Sequence, residues 1–368
     1  MANNILNQEL QSKVINFLRF PLIVGVVLVH NHTSGLTVRG VEMGMNSSDL
    51  PVFYYSCELF SEVIGRIASP LFFFMSGFLF FLNVKKMTGQ VYKSKLHARM
   101  KTLLIPFLLW NTAAAIFFFT VRRFGIFTSP QPPFNFQYFI DNFWGKINEQ
   151  GTAFFPVAYQ FWFIRDLMVV VLLTPLIYFL VKYAKVSIVV ILGILWFFAF
   201  WFMPEPAGFR IVSLFSFTAG AYFGINKRNL LDDFGKIRNL SFILYPIIVL
   251  VDLFTKESSF QPYIHKAGLV IGIVFCFNFV ALLFEKKIIK PTPFLTTASF
   301  FVFAIHDPFL LMNVQKISFL IFKPESDFLM TSLYFINVII VVLSALFIYW
   351  VLRKFLPRFT AVITGGRL

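Results

Sequence analysis

An arginine and a histidine bracket the first apolar run of the chain, Arg19-Phe20-Pro21-Leu22-Ile23-Val24-Gly25-Val26-Val27-Leu28-Val29-His30, with Asn31 and His32 directly after it. Ionisable side chains are costly in a bilayer, so their presence in such a run marks a candidate functional site. On one helix, eleven steps of about 100° return His30 to within roughly 20° of the Arg19 face, about 16 Å further along the axis. His32 then points roughly 160° away, toward the exit of the span or water. Histidine is suited to taking a proton near neutral pH, and arginine to holding phosphate. Two plainer readings stand beside these: a snorkelling interface arginine and a histidine satisfied at a helix end. The shared face favours a joint role for Arg19 and His30, with His30 as the candidate base.

The elements that must position these residues are membrane helices. The chain has 368 residues, of which 58% are hydrophobic, 19% aromatic and only 13% charged. A soluble protein carries about twice that charged share, and the mean hydropathy is +0.76. The expected class is all-α, a polytopic helical bundle. Ten spans are predicted: 14–33, 57–82, 103–120, 158–181, 187–203, 209–226, 240–255, 266–284, 298–322 and 331–356. The apolar middle of the first, Pro21 to Val29, is too short to cross a bilayer unaided, so this helix is expected inside the bundle.

Charge placement gives the orientation and excludes other classes. The net charge of +15 would suit nucleic acid, but the cations sit in short loops between apolar runs, as topology signals do. Lys85, Lys86, Lys93 and Lys95, then Lys182 and Lys185, Lys227 and Arg228, and Lys286 and Lys287 fall in alternate loops. The intervening loops pair their few cations with acids, as Arg39 with Glu42 and Asp49. Ten spans with both termini in the cytoplasm of a cell membrane, a bacterial inner membrane, fit this asymmetry. The expected domains are a short cytoplasmic segment 1–13, a membrane domain 14–358 and a cytoplasmic tail 359–368. The longest loop, 121–157, is rich in proline and aromatics and is expected outside, as a lid or re-entrant piece. Cys57 and Cys276 lie in or beside apolar runs without CxxC spacing, so neither a disulfide framework nor a metal site is expected.

Further residues of chemical interest recur along the chain. Ser76 and Gly77, near the end of the second span, allow close approach of a backbone or a ligand, and ordinary helix packing explains them equally well. Arg66 lies mid-span, where a cation needs a partner or water. Arg99 and Lys101 precede the third span on the Arg19 side; they anchor topology and also suit a phosphate-rich ligand. Trp162, Arg165 and Asp166 fall toward the outer side, as acceptor-orienting or helix-pairing groups. His306 and Asp307 form a second ionisable pair, with buried pairing as the plain alternative.

In order along the chain, these motifs resemble the integral-membrane acyltransferase-3 family. They are an arginine, ten residues and a histidine; the Phe72-x-x-x-Ser76-Gly77-Phe78-Leu79 end of the second span; and Arg99-x-Lys101 before Ile105-Pro106-Phe107. They continue with Trp162-Phe163-x-x-x-Leu167, Gly220-x-x-Phe223-Gly224 and His306-x-Pro308, over about Asn16 to Arg358. Lys101 stands where many members have a second arginine, and Phe303 where a tyrosine is usual. The resemblance implies O-acylation: transfer of an acyl group, often acetyl, from cytoplasmic acyl-coenzyme A to a hydroxyl of an exported glycan, lipid-linked sugar or other envelope molecule. It implies no permanently bound cofactor; acyl-coenzyme A is a substrate. Arg19, Ser76, Gly77, Arg99 and Lys101 would then serve the donor, and His30 would act as general base or as an acyl-histidine nucleophile. Arg66, Trp162, Arg165, Asp166, His306 and Asp307 would be acceptor-side or structural groups. The competing class is a transporter or flippase for lipid-linked sugars or small metabolites, because intramembrane arginines, histidines and aspartates suit proton coupling as well. A one-sided basic cluster aligned with a single histidine favours the enzyme, and no internal repeat is visible to favour a duplicated transporter fold.

Overall fold

The computed structural model describes residues 2–31, 37–38, 41–42, 50–123, 143–145, 155–202 and 205–367. His32 and most of the 121–157 loop, with its prolines at 130, 132 and 133, lie outside these residues. The described chain is helical apart from one short antiparallel strand pair, Thr37–Val38 with Val41–Glu42. The helices are α1 (Ala2–His30), α2 (Pro51–Phe81), α3 (Gly89–Val121), α4 (Tyr159–Leu172), α5 (Thr174–Ala184), α6 (Val186–Phe197) and α7 (Ile211–Ile225). They continue as α8 (Leu230–Gly235), α9 (Arg238–Phe254), α10 (Gln261–Glu285), α11 (Pro293–Ile305), α12 (Leu311–Phe322), α13 (Asp327–Phe355) and α14 (Pro357–Ile363).

Every predicted span coincides with a helix or helix pair. Among the described residues, six segments are long and apolar enough to cross a membrane: α1 from Asn7, α2, α3, α10, Pro293–Phe322 and α13. The α4–α5 pair, bent by 63°, makes a seventh if it is one span. The other predicted spans are shorter helices: α6 has 12 residues, α7 has 15 and α9 has 17. At 1.5 Å per residue these reach about 18 to 26 Å, less than the roughly 30 Å hydrocarbon layer. Among the described residues, length and composition alone qualify six or seven segments as crossings, fewer than the ten spans expected from the sequence.

The chain divides into two compact units. The first contains Met1–Met75, Asn226–His306 and Leu310–Phe347. Its first helix extends well before the predicted start at residue 14 and runs unbroken through Pro21. Here α1 and α2 meet at Gly25 and Gly65: a Cβ built on Gly65 would lie 2.9 Å from the Gly25 carbonyl and 2.8 Å from a Val29 methyl. Such small residues let helix backbones approach where no hydrophobic effect drives association. The amino end of α2 is capped from α13, since Asp327 carboxylate oxygens accept from the Val52 and Phe53 N–H groups at 2.8 and 2.7 Å.

The second unit contains Ser76–Ile225, Asp307–Phe309 and Ile348–Leu368. Gly77 and Gly224 sit where α2 and α7 cross closely. A Cβ on Gly77 would collide with the Phe217 carbonyl of α7, and one on Gly224 would lie 2.6 Å from the Phe78 carbonyl of α2. The Gly77→Val variant is expected to destabilise the protein by about 3 kcal/mol, the upper end for overpacking, because the obstruction is backbone that cannot rotate aside. Thermal unfolding in detergent checks this; an unchanged midpoint would show that the crossing tolerates bulk. The expected cytoplasmic tail is partly a packed element. The helix α14 lies on α3, with Trp110 Nε1 donating to the Ile363 carbonyl at 2.9 Å, and Thr360 and Thr364 are fully buried.

Candidate active site

In the first unit, His30 is the last residue of α1, and the turn around it is pinned by side chains. Ser61 Oγ donates to the Leu28 carbonyl at 2.5 Å, so the Tyr334 hydroxyl, 2.7 Å from Ser61 Oγ, must donate to it. Asn31 is fully buried, donates through Nδ2 to the Tyr334 carbonyl at 2.8 Å, and accepts from Gln315 Nε2 at 2.9 Å. Side chains from α2, α12 and α13 thus hold the end of α1. Sequence reading passed over Ser61, Gln315 and Tyr334, which are unremarkable within apolar runs; only the polarity of Asn31 beside His30 gave a hint.

Nδ1 of the half-buried His30 lies 2.7 Å from Nε2 of His306, which is fully buried. The ring planes are within 5° of parallel and the ring centres are 5.0 Å apart. That separation equals the bond length plus the two ring radii, so the rings meet edge to edge in a common plane. Nδ1 of His306 in turn lies 2.6 Å from the Phe303 carbonyl. His306 and Asp307, adjacent in sequence and with buried pairing as their plain reading, take different partners. Asp307 precedes Pro308, whose ring disfavours a helical conformation before it, and its backbone is extended at φ −143° and ψ 141°. In the second unit the Asp307 carboxylate takes a hydrogen bond from Tyr159, and its carbonyl accepts from Gln160 Nε2.

The other first-unit candidates stand apart from the histidine pair in their bonding. Arg19 is half-buried on α1 and makes no hydrogen bond or ion pair among the described residues. Arg66 is committed to Glu62 one turn earlier, with contacts of 2.7 to 2.9 Å on an exposed stretch of α2. A second polar cluster was not anticipated: His265 Nδ1 lies 2.7 Å from Asp252 Oδ2, and Lys256 Nζ lies 3.1 Å from Glu58 Oε2.

In the second unit, Gly77 is occupied by helix packing and Ser76 is half-buried beside it. Arg99 sits 6.0 Å from the centre of the Phe80 ring, Lys95 is 5.0 Å from the same ring, and Lys101 is exposed. Arg165 and Asp166 are both fully buried and pair directly, with Nε and Nη2 of Arg165 donating to Asp166 Oδ1 at 3.0 and 2.9 Å. Nη1 of Arg165 donates to the Trp144 carbonyl at 2.8 Å. Arg210, which sequence reading missed, lies 3.9 Å from Asp166 Oδ2, with its guanidinium 4.3 Å from the Trp162 ring centre and 5.1 Å from that of Phe155. Its signal was a lone arginine at the outer end of a predicted span, where few cations are expected. Among the described residues no group of three or more His, Cys, Asp or Glu could hold a metal ion.

These helices and this internal histidine pair define a polytopic membrane protein with a candidate proton acceptor at the end of its first span. The chain belongs to the acyltransferase-3 family, whose model, described as an acyltransferase domain, matches residues 13–354, and so it is a membrane acyltransferase. It is similar to the succinoglycan biosynthesis protein ExoH of Rhizobium meliloti (strain 1021), with 25% identity over 96% of this chain and 92% of that protein. No solved structure matches it.

Proposed function

We propose that the protein is an acyl-coenzyme A-dependent O-acyltransferase of the cell membrane, moving an acyl group, acetyl in the first instance, to a hydroxyl of an exported polysaccharide. Both termini are read as cytoplasmic, with the donor entering from that side. The observation that carries the reading is the His30–His306 bond at 2.7 Å within a chain of this family. The similarity to a succinoglycan biosynthesis protein supports a polysaccharide acceptor.

In this reading His30 takes the proton of the acceptor hydroxyl as its oxygen attacks the thioester carbon. The carbon–sulfur bond breaks, and the proton passes to the departing thiolate. Arg19 offers a guanidinium to the anionic donor; that it has no hydrogen bond or ion pair among the described residues suits that role. The donor-side roles of Arg99 and Lys101 rest on the family resemblance. Arg210, beside Trp162, joins Arg165 and Asp166 as an acceptor-side candidate.

The direct test is the full chain reconstituted in vesicles with radiolabelled acetyl-coenzyme A and an extracellular polysaccharide fraction, read by label in the polymer. Absence of label with every acyl-coenzyme A tried would sink the donor assignment. The Arg19→Gln variant is expected to raise KM for acetyl-coenzyme A about tenfold, as loss of a charged hydrogen bond predicts, with kcat within about twofold. A fall in kcat at constant KM would instead place Arg19 at the reacting centre.

A further inference from the structure

We propose that His306 is a positioning residue: it fixes which nitrogen of His30 is basic, through a one-way chain of hydrogen bonds ending on the Phe303 carbonyl. The proposal rests on the reading of His30 as the base. A carbonyl can only accept, so the 2.6 Å bond from Nδ1 of His306 to Phe303 requires the proton on that nitrogen. In the neutral ring Nε2 of His306 is then the lone-pair nitrogen. Nδ1 of His30, 2.7 Å away, must supply the proton for the bond between the rings. Nε2 of His30 is thereby the basic nitrogen.

The geometry suits this assignment. Imidazole lone pairs and N–H bonds lie in the ring plane, and the two rings are coplanar within 5° and meet edge to edge. The two helix ends that carry the rings are held by contacts other than this bond. The backbone that carries His30 is held by the Ser61, Asn31, Gln315 and Tyr334 contacts at the end of α1, and the His306 ring by its bond to the Phe303 carbonyl at the end of α11. Because Phe303 contributes its backbone, the phenylalanine in place of the family's usual tyrosine does not enter the chain. During transfer the acceptor proton moves to Nε2 of His30 and then to the leaving thiolate. The proton on Nδ1 stays in place, and His306 stabilises the transient imidazolium by accepting from it. Oriented support of this kind fixes tautomer and ring angle in other histidine-dependent enzymes, where its loss costs on the order of 10⁴ in kcat when a carboxylate provides it. A neutral acceptor supplies less.

The test uses the full chain in bilayers, as wild type and as His30→Ala, His306→Leu and His306→Gln. Turnover of acetyl-coenzyme A is measured, and solid-state nitrogen NMR of histidine-labelled protein reads the tautomers. Wild-type His30 is expected as the Nδ1–H tautomer. His306→Leu is expected to lower kcat on the order of 100-fold with KM for acetyl-coenzyme A within about twofold. His306→Gln, whose amide oxygen can accept from Nδ1–H, is expected to recover at least about tenfold of that loss. An Nε2–H tautomer for His30, a charged His306, or a His306→Leu variant with wild-type kcat would each overturn the proposal. If His306→Leu fails to fold, the wild-type tautomer and the glutamine variant decide. Full activity in His30→Ala sinks the base reading itself, whereas an inactive His30→Ala beside an active His306→Leu removes only the positioning role.

Discussion

Replacement of His30 by alanine is expected to reduce acyl transfer by about 10³-fold in kcat, within the range that a positioned general base contributes, while the protein stays folded. The side chain is only half-buried, and it hydrogen-bonds His306. Its removal leaves the Nε2 lone pair of His306 without that donor, at a cost of about 1–3 kcal/mol. The remaining bonds at the end of α1 are untouched, because Ser61, Asn31, Gln315 and Tyr334 hold the backbone and one another rather than the His30 ring. KM for acetyl-coenzyme A is expected to stay within about twofold, since a group acting on the acceptor proton contributes at the transition state. Steady-state turnover with a thermal-shift control measures both. Activity within threefold of wild type in a folded variant would remove His30 from the chemistry. If His30 forms a covalent acyl-histidine instead, acid-quenched wild-type protein will carry label from the donor and the variant will carry none.

The Asp166→Leu substitution is expected to destabilise the protein by about 3–5 kcal/mol, the cost of stranding one member of a buried ion pair. Arg165 is fully buried and donates three of its hydrogen bonds, two to Asp166 and one to the Trp144 carbonyl. A guanidinium cannot shed its charge, so without Asp166 it stays cationic with one carbonyl for support among the described residues. Arg210 would also lose the carboxylate 3.9 Å away. The double variant Arg165→Met with Asp166→Leu removes both charges and is expected to recover most of the loss, as buried pairs replaced by apolar groups of similar volume often do. Denaturant unfolding of the three proteins gives the comparison. A double variant as unstable as Asp166→Leu would show that the pair does more than neutralise itself, in keeping with an acceptor-side role.

The apolar runs, read one by one, located every helix that matters to the site. Hydrophobic length and loop charge act locally, so the ends of α2, α10 and α12 could be placed to within about a residue. The number of crossings was less legible. Periodicity reports that a segment is apolar, whereas the lengths of α6, α7 and α9 depend on where neighbours and turns end them. The packing of α14 on α3 was invisible for a related reason: its contacts join Ile363 to Trp110, far apart in the chain.

At the candidate site, sequence alone singled out Arg19 and His30 by the cost of charge in an apolar run and by helical spacing. It also named His306, because a histidine there is costly whatever it does. Which partner each histidine takes was a tertiary decision. Adjacent residues in a chain read as a natural pair, yet the extended backbone at Asp307 sends its side chain to Tyr159 while His306 meets His30. Gly77, equally readable as a ligand contact or a packing contact, is filled by the Phe217 backbone. Arg210 reached Trp162 and Asp166 through folding alone. Sequence determined where ionisable groups enter the apolar core, since that cost is local. Tertiary structure decided which of them share a proton, since a hydrogen bond between His30 and His306 requires two helix ends distant in sequence to bring ring nitrogens to 2.7 Å with the rings in one plane.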